Sequence, residues 1–123
     1  LELFELEAVL KLQKAAIDDP GRMAELNMDF HRIIYRSARN RYLMSALSSL
    51  GDALQLLTVT TYASPGRGKS GYAEHMAIFE ALNARDPDLA EKRAREHILN
   101  ANAVRLQMLS TSYLAGKGQK ARR

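Results

Sequence analysis

The sequence predicts an all-α protein, folded as an antiparallel helical bundle. Apolar residues recur at helical spacing through most of the 123-residue chain, and no segment shows convincing strand alternation. Several breaks between the periodic segments carry residues that begin helices, such as Asp followed by Pro. No internal repeat or second domain is visible, so we expect one domain with one modest core.

The first two helices are predicted on either side of an Asp-Asp-Pro-Gly break. The first covers residues 2–18. Asp19 is expected to cap the second helix, with Pro20 in its first turn, where proline is tolerated. That helix should run to about Arg39, because Asn40 is a plausible left-handed stop.

Three further helices follow, separated by one glycine-rich segment and one restart signal. Three glycines and a proline in residues 63–71 predict a loop. Asp86 and Pro87 predict a new helix start, with Asp as the cap and Pro at the first position. The helices are predicted at about 41–61, at about 72–85, and from Pro87 to about Leu114.

The net charge of +4 does not indicate a DNA-binding surface. Residues 117–123 contain four cations, so residues 1–116 are net neutral. We therefore expect a folded domain over 1–116, followed by a basic disordered tail. A DNA-binding domain would carry a basic patch on a folded face, so we do not expect the folded residues to bind DNA specifically.

Composition also bounds the cellular setting. No stretch approaches the roughly 20 apolar residues of a membrane span, and no signal peptide is visible. The chain has no cysteine, which excludes a disulfide framework and a thiolate metal site. We expect a cytoplasmic protein, and a first residue other than Met is read as a sign of a processed or trimmed chain.

The histidines are the informative residues. The chain has three, His31, His75 and His97, and each falls on the apolar face of its own predicted helix. Asn27 lies one turn before His31 on the same face. A single such histidine is more often a core residue bonded to a backbone carbonyl, but three of them indicate a shared site. Three imidazoles form a half-closed site for Zn²⁺ or a similar ion.

Several motifs, in order, resemble one known family. They are Asn27-Met-Asp-Phe-His31, Ser37-Ala-Arg-Asn40, Ser64-Pro-Gly-Arg67, Glu74-His75-x-x-Ile78-x-x-Ala81-Leu82, Arg85-Asp86-Pro87-x-x-Ala90 and Glu96-His97-Ile98. Over about residues 3–112 the chain resembles the FCD domain, the C-terminal effector-binding domain of the FadR subfamily of bacterial GntR transcription regulators.

The resemblance implies a helical, dimeric domain that senses a small carboxylate metabolite and changes the orientation of attached winged helix-turn-helix domains. It also implies a divalent metal ion, zinc or alternatively nickel or another ion, and the implied ligands are Asn27, His31, His75 and His97. Residues beside the histidine faces are candidates for contacting the effector: Arg93, Asn100, Tyr72 and Tyr35.

Two departures from the family pattern affect these expectations. We expect the family's winged helix-turn-helix DNA-binding domain, and its first effector-domain helix, which often supplies an arginine to the effector, to lie outside this chain. Asn27 stands where Asp is commoner, and a neutral amide should hold the metal less tightly while favouring an anionic effector. The histidines could also bind an anion directly, without a metal.

Two other functions remain open from the residues themselves. A metal held by three histidines describes a hydrolytic site, and Glu74 and Glu96 adjoin His75 and His97. Neighbours in sequence point about 100° apart on a helix, so neither carboxylate is expected on the histidine face, and we do not expect an enzyme. The third possibility, a helical oligomerisation module without a ligand, leaves the three histidines unexplained.

Overall fold

The computed structural model describes residues 1–55 and 59–120 of the chain. It contains five α-helices and one short 3₁₀-helix, and the described residues include no strand. The elements are α1 (Glu2–Ala15), α2 (Pro20–Ser37), α3 (Arg41–Gln55), the 3₁₀-helix (Thr61–Ala63), α4 (Arg67–Asn83) and α5 (Pro87–Lys120). The predicted all-α bundle is confirmed.

The core lies between α1, α2, α4 and α5. α4 packs along α5, and α1 packs against both α2 and α4. Two neighbouring groups of buried side chains fill the space between these helices. The first consists of Leu6, Leu10, Phe30, Ile33 and Ile78, and the second of Ala16, Met23, Leu26 and Tyr62.

α3 contributes little to this core. It packs only slightly, against α2, and its Tyr42, Leu43 and Leu50 side chains are exposed. The predicted third helix to residue 61 extends across 56–58, which lie outside the described residues. The apolar face predicted for this helix is therefore largely uncovered within the described part of the chain.

Two of the predicted helix starts are confirmed, whereas the predicted helix stop at Asn40 has another role. Asp19 accepts a hydrogen bond from the Arg22 backbone at the start of α2. Asp86 accepts one from the Leu89 backbone, next to Pro87. Asn40 does not stop α2 in the left-handed conformation. Its Oδ1 instead accepts bonds from the first turn of α3.

The predicted loop at 63–71 is wrong from Arg67 onward, because α4 begins there. Gly66, with φ of 76°, precedes the helix in the left-handed conformation that glycine adopts most readily. The next two glycines lie inside the helix, where they permit close packing. A Cβ on Gly68 would lie 2.1 Å from the Ile17 carbonyl oxygen, and one on Gly71 would lie 2.9 Å from the Tyr62 ring.

The helix ends also differ from the predictions. α1 stops at Ala15 rather than at residue 18. α5 continues past Leu114 to Lys120, so the first four residues of the predicted disordered tail are helical, while 121–123 lie outside the described residues. Lys117 lies over the Tyr113 ring at 4.9 Å, one turn earlier on the same face. No described helix is long and apolar enough to cross a membrane.

Candidate metal centre

Three helices bring the three histidines to one point. His31 projects from α2, His75 from α4 and His97 from α5. The Nε2 atom of His97 lies 3.1 Å from Nε2 of His31 and 3.2 Å from Nε2 of His75. Each histidine can offer one ligand atom, and these atoms all lie within 4.8 Å of one another. The residues predicted to share a site are therefore neighbours in space.

The far side of the His75 ring is held by a buried glutamine. Gln13 Nε2 donates to the Leu26 carbonyl oxygen at 3.2 Å, so its Oε1 is the atom that faces His75. This oxygen lies 2.8 Å from His75 Nδ1 and can only accept a hydrogen bond. Nδ1 of His75 therefore carries the proton, and its Nε2 keeps a lone pair. Phe30 stacks on the same ring at 4.3 Å and fixes its plane.

The far side of the His97 ring meets a carboxylate from the neighbouring helix. Glu74 Oε2 accepts from His97 Nδ1 at 3.3 Å, which leaves the lone pair on His97 Nε2. Arg67 donates to both oxygens of Glu74, at 2.7 and 2.9 Å. Asn100 donates to Glu74 Oε1 at 3.2 Å. Arg67 is 4% exposed, and its Nε is buried without a hydrogen-bond partner.

These outer hydrogen bonds produce an electron-rich centre. In the neutral tautomers that these outer hydrogen bonds select, the lone pairs of His75 Nε2 and His97 Nε2 face each other across 3.2 Å. Three nitrogen ligands at 2.0–2.1 Å from one ion, with angles of 90–109° between them, would lie about 2.8–3.4 Å apart. The two spacings from His97 Nε2, 3.1 and 3.2 Å, fall within that range, and all three candidate ligand atoms lie within 4.8 Å of one another, which is compatible with a shared divalent metal ion.

Burial keeps two of the imidazoles neutral. Burial and, to a smaller extent, the neighbouring His97 lower the pKa of His31 to about 3. Burial also lowers the pKa of His75 to about 2, again with His97 contributing. Burial alone would raise the pKa of Glu74, but hydrogen bonds from His97 and Arg67 outweigh it and lower this pKa to about 2. The site thus holds neutral imidazoles beside an ionised carboxylate at neutral pH.

Asn27 lies one turn before His31 on α2 and is partly buried. Its Oδ1 accepts a hydrogen bond from the Tyr62 hydroxyl at 3.0 Å. An amide oxygen has two lone pairs, so this contact leaves one available to another partner. The ligand role of Asn27 stays a prediction.

The four candidate effector residues lie in different places. Tyr35 stacks on His31 at 5.9 Å, and Tyr72 packs into the core. Arg93 pairs with Glu96 at 3.0 Å. It shares with Asn100 an open cleft between α4 and α5, on the Nδ1 side of His97. The structure places Tyr35 against a histidine of the centre, whereas Arg93 and Asn100 are separated from the Nε2 atoms by the His97 ring.

Sequence reasoning missed the residues that hydrogen-bond to the Nδ1 atoms of His75 and His97. The expectation that Glu74 lies away from the histidines is wrong, because it considered His75 on the same helix and not His97 on α5. Gln13 did leave a signal. It is a polar residue seven positions after Leu6 and three after Leu10, and all three are buried on one face of α1.

The sequence motifs predicted an all-α bundle that brings three histidines together. Comparison of the chain with sequence models of protein families supports the same family. Residues 1–100 match the sequence model of the FCD domain. The chain therefore belongs to the FCD domain family, and the resemblance in its motifs is confirmed.

Similar proteins include the HTH-type transcriptional repressor NanR of Klebsiella aerogenes and that of Escherichia coli K12. Each is 27% identical to this chain over 101 residues, which is 80% of the chain. The matched region is 39% of the first protein and 38% of the second, so the chain spans about two fifths of the length of these relatives.

Proposed function

We propose that this chain is the metal-dependent effector-binding and dimerisation domain of a GntR-family transcription regulator. A divalent ion, zinc or alternatively nickel or another ion, would be held by His31, His75 and His97, with Asn27 as the fourth ligand. The observation that carries the proposal is the convergence of the three histidines, with Nε2 of His75 and His97 only 3.2 Å apart, a spacing that a cation bound to both nitrogens would explain.

The proposed effector is a small carboxylate bound at or beside the ion. Neutral imidazoles and a neutral amide leave the +2 charge of the ion uncompensated by its own ligands. An anion entering an open position would supply that charge. Tyr35, which stacks on His31, is a candidate to border such an anion.

The regulatory role is supported by the relatives, which are named transcriptional repressors. DNA would be bound by a winged helix-turn-helix domain of a longer protein, and the neutral charge of residues 1–116 agrees with a sensing role for this part. We further propose a cytoplasmic homodimer. The exposed apolar residues of α3, such as Tyr42 and Leu50, support self-association.

A hydrolytic function has less support. Such a site needs a general base near the open position of the metal. Glu74 contacts Nδ1 of His97, on the opposite side of the ring from the converging Nε2 atoms, and Arg67 and Asn100 hold it there. We therefore propose that the ion anchors a ligand and does not turn one over.

Calorimetry on chelator-treated protein tests the metal site. We expect one Zn²⁺ or Ni²⁺ per chain. His97→Ala should weaken binding by more than about 100-fold, because loss of an outer partner of a ligand already costs about 10–100-fold. Asn102→Ala, at an exposed position on the same helix, is the matched control and should bind normally. Absence of metal binding by the unaltered protein would refute the site.

A thermal-shift assay with acetate and malonate then tests the effector class. We expect carboxylates to stabilise the metal-loaded protein and not the metal-free protein. Equal stabilisation of both forms would instead support direct anion binding by the histidines and would refute a metal-anchored effector.

A further inference from the structure

Glu74 is the carboxylate in contact with an imidazole of the centre. It belongs to α4, yet its Oε2 reaches across to Nδ1 of His97 on α5. Two bonds from Arg67 and one from Asn100 occupy its remaining acceptor positions. Because a carboxylate has about four such positions, Glu74 is held in one orientation by its neighbours.

The outer partners of the two histidines differ in charge. His75 meets the neutral amide of Gln13, and this glutamine is completely buried. His97 meets the carboxylate of Glu74, which also forms an ion pair with Arg67 at 2.7 Å. Both partners select the tautomer with a lone pair on Nε2, but the charged carboxylate makes its imidazole the stronger electron donor of the two.

We propose that Glu74 is a positioning residue for the metal ion, which fixes the His97 tautomer and supplies, through that ring, negative charge that the neutral ligands lack. This inference rests on the proposed metal site. Arg67 opposes the effect in part, since the same carboxylate is shared between its guanidinium and the imidazole. The Arg67–Glu74 pair thus limits how much charge reaches the ion.

The two residues should therefore act in opposite directions. Glu74→Gln keeps the shape of the side chain but removes its charge, and we expect it to weaken metal binding by about 10–100-fold. Arg67→Met leaves the carboxylate charged and removes its competing partner, so we expect it to tighten binding. If Glu74 only stabilised the fold through its ion pair, both substitutions would weaken binding equally.

The experiment combines calorimetry with Zn²⁺ and NMR of ¹⁵N-labelled histidines in metal-free protein. In the unaltered protein we expect His97 to be the Nδ1–H tautomer, and in Glu74→Gln a mixture of the two tautomers. Glu80→Gln, an exposed carboxylate on the same helix, is the control and should change neither readout. If Glu74→Gln does not fold by circular dichroism, the Glu74→Gln/Arg67→Met double variant removes the unpaired buried cation and takes its place.

The outcomes separate the two proposals. An unaltered protein that binds no Zn²⁺ would refute the metal site, while the NMR measurement would still report whether Glu74 sets the tautomer. Normal Zn²⁺ binding with unchanged affinity in Glu74→Gln would overturn the positioning role alone. Equal weakening by Glu74→Gln and Arg67→Met would also overturn it.

Discussion

Gly68 lies at a close approach between α4 and the segment that follows α1. A Cβ built on this residue would lie 2.1 Å from the Ile17 carbonyl oxygen and 3.1 Å from its carbonyl carbon. Both partners belong to the backbone, so no side chain can rotate away to make room. We predict that Gly68→Ala separates α4 from this segment.

The geometry sets the size of the effect. Real Cβ atoms essentially never approach another heavy atom closer than 3.0 Å, so the backbone must move by roughly 1 Å in a densely packed region. Overpacking usually costs about 1–3 kcal/mol, and a rigid backbone partner places Gly68→Ala at the upper end. The higher helix propensity of alanine returns about 1 kcal/mol. The net loss of unfolding free energy should be about 2 kcal/mol.

The same movement should reach the metal centre. Gln13 lies near the end of α1, just before Ile17, and its bond to His75 spans 2.8 Å between α1 and α4. A shift of roughly 1 Å would break this bond or bend it severely, because hydrogen bonds weaken steeply outside their usual range. We therefore expect weaker Zn²⁺ binding together with lower stability.

Urea denaturation of the metal-free protein, followed by circular dichroism, measures the stability, and calorimetry measures the affinity for Zn²⁺. Gly116→Ala is the control, because it lies in a helix where a Cβ would meet nothing within 4 Å. It should not lower stability. Gly68→Ala with the stability of the unaltered protein would refute the argument that this glycine is needed for close packing.

Two further predictions concern charge at the metal centre. Asn27→Asp should tighten metal binding, since a carboxylate is the stronger ligand for a divalent cation, yet weaken binding of an acetate or malonate effector by cancelling part of the attracting charge. Calorimetry with Zn²⁺ and then with the anion checks this. Unchanged metal affinity, or improved anion binding, would contradict the assignment of Asn27. The metal-free protein should also lose stability as the pH falls from about 6.5 toward 3. Below the unfolded histidine pKa of 6.5 the unfolded chain takes up protons that His31 and His75, with folded pKa values of about 3 and about 2, do not. At pH 5 each of these two histidines should lower the free energy of unfolding by about 2 kcal/mol. Urea denaturation in the presence of a chelator at pH 8 and pH 5 would measure the difference. Equal stability at the two pH values would show that the histidines are not buried in neutral form.

The helical bundle was predicted from the spacing of apolar residues, and the meeting of the histidines from one further physical rule. A polar side chain on an apolar helix face needs a partner when that face is buried. His31, His75 and His97 each satisfied this description, and their nitrogen atoms are now neighbours. The helix starts at Asp19 and Asp86 could be predicted from neighbouring residues alone, because a capping side chain bonds to the backbone only three residues away.

What sequence reasoning missed depends on contacts between distant segments. Gly68 and Gly71 predict a loop when read locally, but each provides space for another part of the chain. Glu74 points away from His75 on its own helix and toward His97 on the next. The helical register of α4 is enough to predict that Glu74 points away from His75. Its contact with His97 can be predicted only when the position of α5 is known.

The centre joins elements that would otherwise be held together mainly by apolar packing. Its candidate nitrogen ligands come from α2, α4 and α5, and Gln13 adds α1 through its bond to His75. An ion that binds only this folded arrangement would stabilise it by about 4 kcal/mol at a concentration a thousand times its Kd. Because α4 carries one of the candidate nitrogens and α1 reaches it through one hydrogen bond, a change in the ligands of a bound ion would alter the forces between these helices. A bound carboxylate could in this way change the packing of the whole bundle, which is what a sensing domain requires.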